Sequence, residues 1–143
     1  MSLITCLIVM LGGALGTLAR YVIGVVSAPI NTSLPLGTVI INVTGSFVIG
    51  FFGTLTVAHG RFPAPENLRL FVMIGLCGGY TTFSSFSLQT LDLLRQGAII
   101  RAMLNVLISV VFCVLAVSAG HLIAARINGG ARPIAQIAIE ENA

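Results

Sequence analysis

The side chains best suited to chemistry in this sequence are hydroxyls, an amide and aromatic rings, and many of them crowd into one short stretch. From Gly75 the chain reads GLCGGYTTFSSFSLQT, in which Thr81, Thr82, Ser84, Ser85 and Ser87 carry hydroxyls and Phe83 and Phe86 stand three apart. In helical geometry that spacing turns both rings the same way. A ring edge carries partial positive charge, so such a pair can meet an anion without a formal cation. The consecutive glycines and threonines free backbone N–H and C=O groups from the helical ladder. At membrane depth such groups persist only where protein, or a water-filled or ion-occupied cavity, satisfies them. A hard cation held by carbonyl oxygens is one solution of that kind.

A second polar group lies upstream in GTVIINVTGSFVIG, where Thr38, Asn42 and Ser46 recur at one-turn intervals and form a single stripe. Taken alone, such a stripe is better explained by helix packing than by an ion path, because small and amide side chains join helices in membranes. Gly12, Gly16, Gly45, Gly50 and Gly53 point to close packing in general. Arg20 stands late in an apolar run, where a charge costs ~2.5 kcal/mol or more unless it is paired, snorkels or serves a function.

Other chemistries find no arrangement. His59 falls in a loop and His121 in an apolar run, neither near an acid or a nucleophile in sequence, so no enzyme site is visible. Cys6, Cys77 and Cys113 are odd in number, at unrelated spacings, and read as small packing residues. Glu66, Glu140 and Glu141 read as solvated charges, and Asp92 as a surface partner for Arg95. There is no Lys, and a net charge of +3 without a basic run does not suit nucleic acid.

The elements that must position these residues are membrane helices. Of 143 residues 57% are hydrophobic and only 8% charged, against about 25% charged in a soluble domain. Mean hydropathy is +1.07. The apolar residues fall in four runs of the ~20 residues that a ~30 Å hydrocarbon core requires. These predict helices at about 3–26, 36–58, 70–94 and 102–125, the third interrupted by Gly78-Gly79-Tyr80-Thr81-Thr82. Residues 1–126 form one all-α integral membrane domain, and 127–143 read as a poorly ordered tail. The N-terminus lacks a basic region before its apolar run and is read as a retained first helix, not a cleaved signal. With both termini inside, Arg61, Arg69, Arg126 and Arg132 face the cytoplasm and Arg95 and Arg101 the outside. A bias this slight permits insertion both ways, and so an antiparallel pair.

Three motifs in order, GGxxGxxxRY at Gly12 to Tyr21, PxGTxxxNxxGSFxxG at Pro35 to Gly50 and GxxGGxTTFSSF at Gly75 to Phe86, resemble the Fluc/CrcB fluoride-channel family across the whole domain. The resemblance implies a passive fluoride-selective channel of the bacterial inner membrane that exports fluoride and confers resistance to it. It also implies an antiparallel, dual-topology homodimer with two pores and a structural Na⁺ at its centre. By position, Asn42 is the pore-lining amide and Phe83 and Phe86 are the aromatics along the path. Thr82 and Ser85 flank them as hydroxyl donors, with Thr38 on the same stripe as Asn42, and Arg20 stands at the aqueous vestibule. Main-chain carbonyls of Gly78 and Thr81 from both copies hold the Na⁺. Ser109 is the best match to a hydroxyl ladder on the fourth helix, while Asn105 and Cys113 depart from it. Gln89 stands where some relatives carry Glu.

Two other readings remain. A small dual-topology proton-coupled multidrug exporter needs a titratable carboxylate within a helix, and Asp92 is the only candidate. A non-conducting membrane scaffold explains the glycine faces but not the hydroxyls around a helix break.

Overall fold

The computed structural model describes residues 2–58 and 60–130. Four helices among the described residues are long and apolar enough to cross a membrane, which makes this a multi-pass membrane protein. They are α1 (Leu3–Val26), α2 (Leu36–Leu55), a third span Glu66–Arg95, and α5 (Ile99–Ile127). Within the third span α3 covers 66–80 and α4 covers Phe83–Arg95. His59, Arg132, Glu140, Glu141 and the expected tail from 131 onward lie outside the described residues. Before that point the chain is structured: Ile127 ends α5 and Asn128 is its buried cap.

The helix ends differ by a few residues from the hydropathy limits, and capping explains where they fall. Pro35 precedes α2 and has no side-chain acceptor, so Asn31 Oδ1 takes the Gly37 N–H at 2.7 Å. The last two helices both end on a glycine with positive φ, Gly97 at 73° and Gly129 at 83°. In each, the glycine N–H and the next N–H return to the final turn: Gly97 to Leu94 and Ala98 to Leu93, Gly129 to Arg126 and Gly130 to Ala125. This is the Schellman arrangement, which satisfies carbonyls the helix leaves orphaned.

Burial is inverted relative to a soluble bundle. Leu7, Leu11 and Leu18 of α1, and Ile100, Leu107 and Val114 of α5, are exposed. The buried positions are small or polar: Gly12, Gly16, Ala102, Asn105, Ser109, Gly120 and Ala124. Such a surface suits hydrocarbon, and helices in lipid associate through close backbone approach instead of water exclusion. Two interfaces follow. α1 lies on α3 where Gly12 meets Gly75, and a Cβ added at Gly75 would sit 2.9 Å from the Gly12 Cα. α2 lies on α5 where Gly50 faces the Val117 carbonyl and Gly120 faces the Phe47 carbonyl. The first part of α3 is locally wider, with a π-helical segment over Leu70–Leu76.

Polar side chains close one end of the bundle. Arg69 is buried, and its Nη1 donates to the Gly53 carbonyl at 3.1 Å and to Thr56 Oγ1 at 2.6 Å. Gly53 and Thr56 lie in and just after the last turn of α2, where partial negative charge accumulates, so a guanidinium is well placed there. Asn128 Nδ2 donates to the Thr54 carbonyl at 2.8 Å, and its Oδ1 accepts the Arg61 N–H at 2.9 Å.

The α2–α5 contact leaves no room for a side chain, whereas a Cβ at Gly24 would meet nothing within 4 Å. Gly120→Val is therefore expected to lose roughly 1–3 kcal/mol through overpacking. Gly24→Ala should be neutral or stabilising by up to ~1 kcal/mol. Thermal unfolding of the purified variants in detergent checks this; equal midpoints for the two would contradict the packing described.

Candidate functional site

The third span changes conformation at two residues. Thr81 (φ −76°, ψ 158°) and Thr82 (φ −152°, ψ 108°) are extended, and helix resumes at Phe83. Gly78, Gly79 and Tyr80, expected to share in the interruption, stay helical, because the ladder continues until the Thr81 N–H bonds the Cys77 carbonyl at 2.9 Å. Thr82 cannot continue it. Its N–H instead donates to Asn42 Oδ1 at 2.7 Å, and its carbonyl accepts from Asn42 Nδ2 at 3.1 Å. One carboxamide from α2 thus satisfies both backbone groups of the same residue, as a neighbouring peptide would.

Four carbonyls, those of Gly78 to Thr81, lose their helical donors in consequence, and Thr17 Oγ1 reaches that of Gly79 at 3.5 Å. Gly78 C=O would ordinarily receive the Thr82 N–H, which Asn42 holds. Thr81 C=O would receive the Ser85 N–H, which is capped at 3.2 Å by Thr82 Oγ1. The Thr82 hydroxyl in turn donates to Ser85 Oγ at 3.0 Å, leaving the Ser85 proton available. The extended step therefore leaves unpaired carbonyls on its α3 side and a capped helix N-terminus on its α4 side.

A cavity of about 340 Å³ opens beside this step. The structure brings to its wall Asn42, Thr82, Phe83, Phe86 and Ser109, together with Gly78 and Thr81. Their elements are α2, the extended step with its flanking turns, and α5. The Phe83 and Phe86 rings lie 5.4 Å apart at centroids, tilted by 48°. Asn42 keeps one amide N–H, since only the other is used on Thr82. Among the described residues no hydrogen bond engages the hydroxyl of Ser46 or Ser109, both on the wall. The rest of the wall is apolar, including Ile49 and Val110. The cavity thus offers a few donors and no formal charge. Such a wall can hold a small anion by hydrogen bonds alone.

Three expected residues are not on that wall. Ser85 stands just behind it as the partner of Thr82. Thr38, in the first turn of α2, and Arg20, near the end of α1, are half-buried elsewhere. Seven wall residues were absent from the expected set; Gly45, Ile49 and Val110 are plain apolar lining, and the other four carry a hydroxyl or a sulfur. Ser46 was legible as the residue one turn beyond Asn42, and Cys113 as one turn beyond Ser109. Met73 and Cys77 share a spacing of four on α3 but carry no polar signal. Farther along α4, Asn105 Nδ2 donates to Thr90 Oγ1 at 2.9 Å, and Thr90 donates to the Phe86 carbonyl at 2.8 Å. Asn105 Oδ1 and Gln89 Oε1 are buried without a partner among the described residues.

Because both backbone groups of Thr82 rest on one side chain, Asn42→Ala should speed amide exchange across 80–86 at least tenfold. It should also cost about 2–4 kcal/mol, from two lost bonds to buried groups. Ser46→Ala, which removes no bond, should leave exchange there unchanged. Hydrogen–deuterium exchange with peptide resolution makes the comparison, and equal protection in the two variants would refute the role given to Asn42.

Comparison with known proteins gives a consistent picture. Residues 7–121 match the family described as CrcB-like protein, Camphor Resistance (CrcB). The chain is 71% identical over 142 residues to a fluoride-specific ion channel FluC of Methylobacterium radiotolerans, covering 99% of each. It is 65% identical to a protein of the same description from Gluconobacter oxydans, covering 100% of both chains. A third, from Methylocella silvestris, is 62% identical over 84% of this chain and 92% of its own length.

Proposed function

The chain belongs to the CrcB-like family, and on that premise we propose that it is a passive fluoride-selective ion channel that exports fluoride from the cytoplasm. The observation that carries this reading is full-length identity of 71% and 65% to proteins described as fluoride-specific ion channels. The local chemistry supports it. Fluoride is small and strongly hydrated, so a pore must replace its water with donors. The remaining Asn42 N–H, the Ser46 and Ser109 hydroxyls and the edges of Phe83 and Phe86 are donors of the right kind, and none is a fixed cation that would trap the ion. Thr82 and Ser85 fix the turn that presents the rings, Thr38 extends the stripe of α2, and Arg20 draws anions toward a vestibule.

The working unit is an antiparallel homodimer in which the third span is broken within the bilayer. Phe83 is 79% exposed although it lines a cavity that holds the Ser46 and Ser109 hydroxyls, and hydroxyls open to lipid would go unsatisfied, so a second copy has reason to cover that side. Among the described residues arginine is balanced between the two ends: Arg61, Arg69 and Arg126 at one, Arg20, Arg95 and Arg101 at the other. That balance favours insertion in both orientations into the bacterial inner membrane. A structural Na⁺ fits the freed carbonyls. Gly78 is exposed, a Cβ there would meet nothing within 4 Å, and its carbonyl and that of Thr81 have lost their helical donors. Two copies would supply four such oxygens, a hard-ligand set suited to Na⁺. Bound there, the ion contributes a fixed positive field.

An interior-negative potential expels a monovalent anion with ~2.3 kcal/mol per 100 mV, so export needs no coupled carboxylate. The physiological role is fluoride resistance, since HF diffuses inward and dissociates in the cytoplasm. Protein reconstituted in liposomes is expected to release fluoride to a fluoride electrode while retaining chloride. Comparable release of both ions would overturn the selectivity. Phe83→Ile and Phe86→Ile should each lower the flux at least tenfold, and wild-type rates in both would reduce the rings to packing. Asn42→Asp puts a carboxylate oxygen against the Thr82 carbonyl and a negative charge in the path, so it should abolish release.

A further inference from the structure

Tyr80 is the last helical residue before the extended step, and its side chain is tied to α2 by a bond the backbone ladder does not require. The phenol oxygen lies 2.9 Å from Thr44 Oγ1. Direction follows from the threonine. Its one proton is committed to its own helix, with the Ile40 carbonyl at 2.7 Å and that of Ile41 at 3.1 Å, so Thr44 accepts and Tyr80 donates. Both residues stand near the middle of their spans, Leu36–Leu55 and Glu66–Arg95. At that depth no water offers the phenol another acceptor. Packing alone does not hold the ring there. A crevice of about 250 Å³ opens beside it, walled by Tyr80 and Thr44 together with Ala19 of α1 and Leu76 of α3. The ring has room to swing into, and the hydrogen bond opposes that swing. Gly45 and Cys77 belong both to this crevice and to the cavity of Asn42 and Phe86, so the two hollows share a partition.

Three consecutive residues are thus fixed along one turn of α2. Tyr80 is held by Thr44 and Thr82 by Asn42, while a Cβ added at Gly45 would collide with the Thr81 methyl group and meet Tyr80 Cδ1 at 3.2 Å. Around the helix Gly45 falls between Asn42 and Thr44, so the step crosses that face with a tie at either end. We propose that Tyr80 is a positioning residue of the channel: its phenol bond to Thr44 fixes the upstream end of the extended step, as Asn42 fixes the downstream end. The role in conduction rests on the fluoride-channel reading; the tether itself does not. A single tie leaves the chain free to pivot about it. Two ties define the peptide planes between them, and with those the direction of the Thr81 carbonyl and the point at which Phe83 enters α4.

The test reads fluoride release from liposomes, peptide-resolved amide exchange and thermal unfolding in detergent on the same full-length variants. Tyr80→Phe keeps the ring and leaves Thr44 satisfied by its own helix, so its unfolding midpoint should match that of the unmutated chain. Release should nonetheless fall, and exchange at Thr81 and Thr82 rise, by about threefold or more, the equilibrium factor of one side-chain hydrogen bond in a membrane. Unchanged release or unchanged exchange in that variant would overturn the proposal. Thr44→Val strands the phenol in apolar surroundings and should lower the midpoint as well. The double variant strands nothing, so its midpoint should return to that of Tyr80→Phe while release stays low. Release recovering along with the midpoint would reduce the pair to packing and overturn the positioning role. Tyr21→Phe alters the exposed tyrosine near the end of α1 and should change none of the three readouts. Failure of the unmutated chain to release fluoride, with exchange responding as expected, would count against the channel reading and not against the tether.

Discussion

A backbone amide in hydrocarbon has no water to fall back on, and the structure turns on how that requirement is met at Thr82. Away from residues 78–85 the helical ladder meets it along the spans. At Thr82 the ladder stops, and the Asn42 carboxamide supplies one acceptor and one donor at 2.7 and 3.1 Å. Without it, both groups would be stranded, at about 1–2 kcal/mol each. The extended step is thus less a fault in a helix than a joint between α2 and the third span. Its other consequences are local. The Thr82 hydroxyl is free to cap α4, the rings of Phe83 and Phe86 reach the cavity, and the carbonyls of Gly78 and Thr81 are released. A residue expected to line a path is also the strut that holds the extended step.

Holding that joint in register is the task of the glycine interfaces. α1 against α3 and α2 against α5 approach until backbone touches backbone, at Gly12 with Gly75 and at Gly120 with Phe47. In lipid, dispersion and geometric fit must do what water exclusion does in solution, and both depend steeply on distance. Arg69 and Asn128 add polar ties at one end, each joining a helix terminus to α2. The framework is therefore rigid around a cavity whose donors are few.

Much of this was legible in the residues. Hydropathy set the four spans, because a hydrocarbon core fixes both their length and their apolarity. The polar stripe of α2 and the TTFSSF segment identified the two strands of chemistry, and the cavity joins them through Asn42, Thr82, Phe83 and Phe86. What could not be read is instructive. Consecutive glycines suggested extended backbone from Gly78, yet glycine only permits departure from helix. The change comes at the threonines, where a partner on α2 competes for the amide. Met73 and Cys77 reach the wall because the bundle leaves a hollow there, which no periodicity announces. Buried Arg69 looked like a loop charge, since its acceptors lie sixteen and thirteen residues earlier in the chain.

The short connection from α4 to α5 has a mechanical meaning. Gln96, Gly97 and Ala98 are the three residues between Arg95 and Ile99, and the N–H of each returns to the end of α4. Such a hairpin has no compliance. Any axial slide of α4 would be handed on to α5, and with it to Ser109 on the opposite wall. Phe83, Phe86 and Ser109 would then travel together past Asn42 and Ser46 of α2, so the separation of the rings from Ser109 is changed by rotating side chains and not by sliding helices.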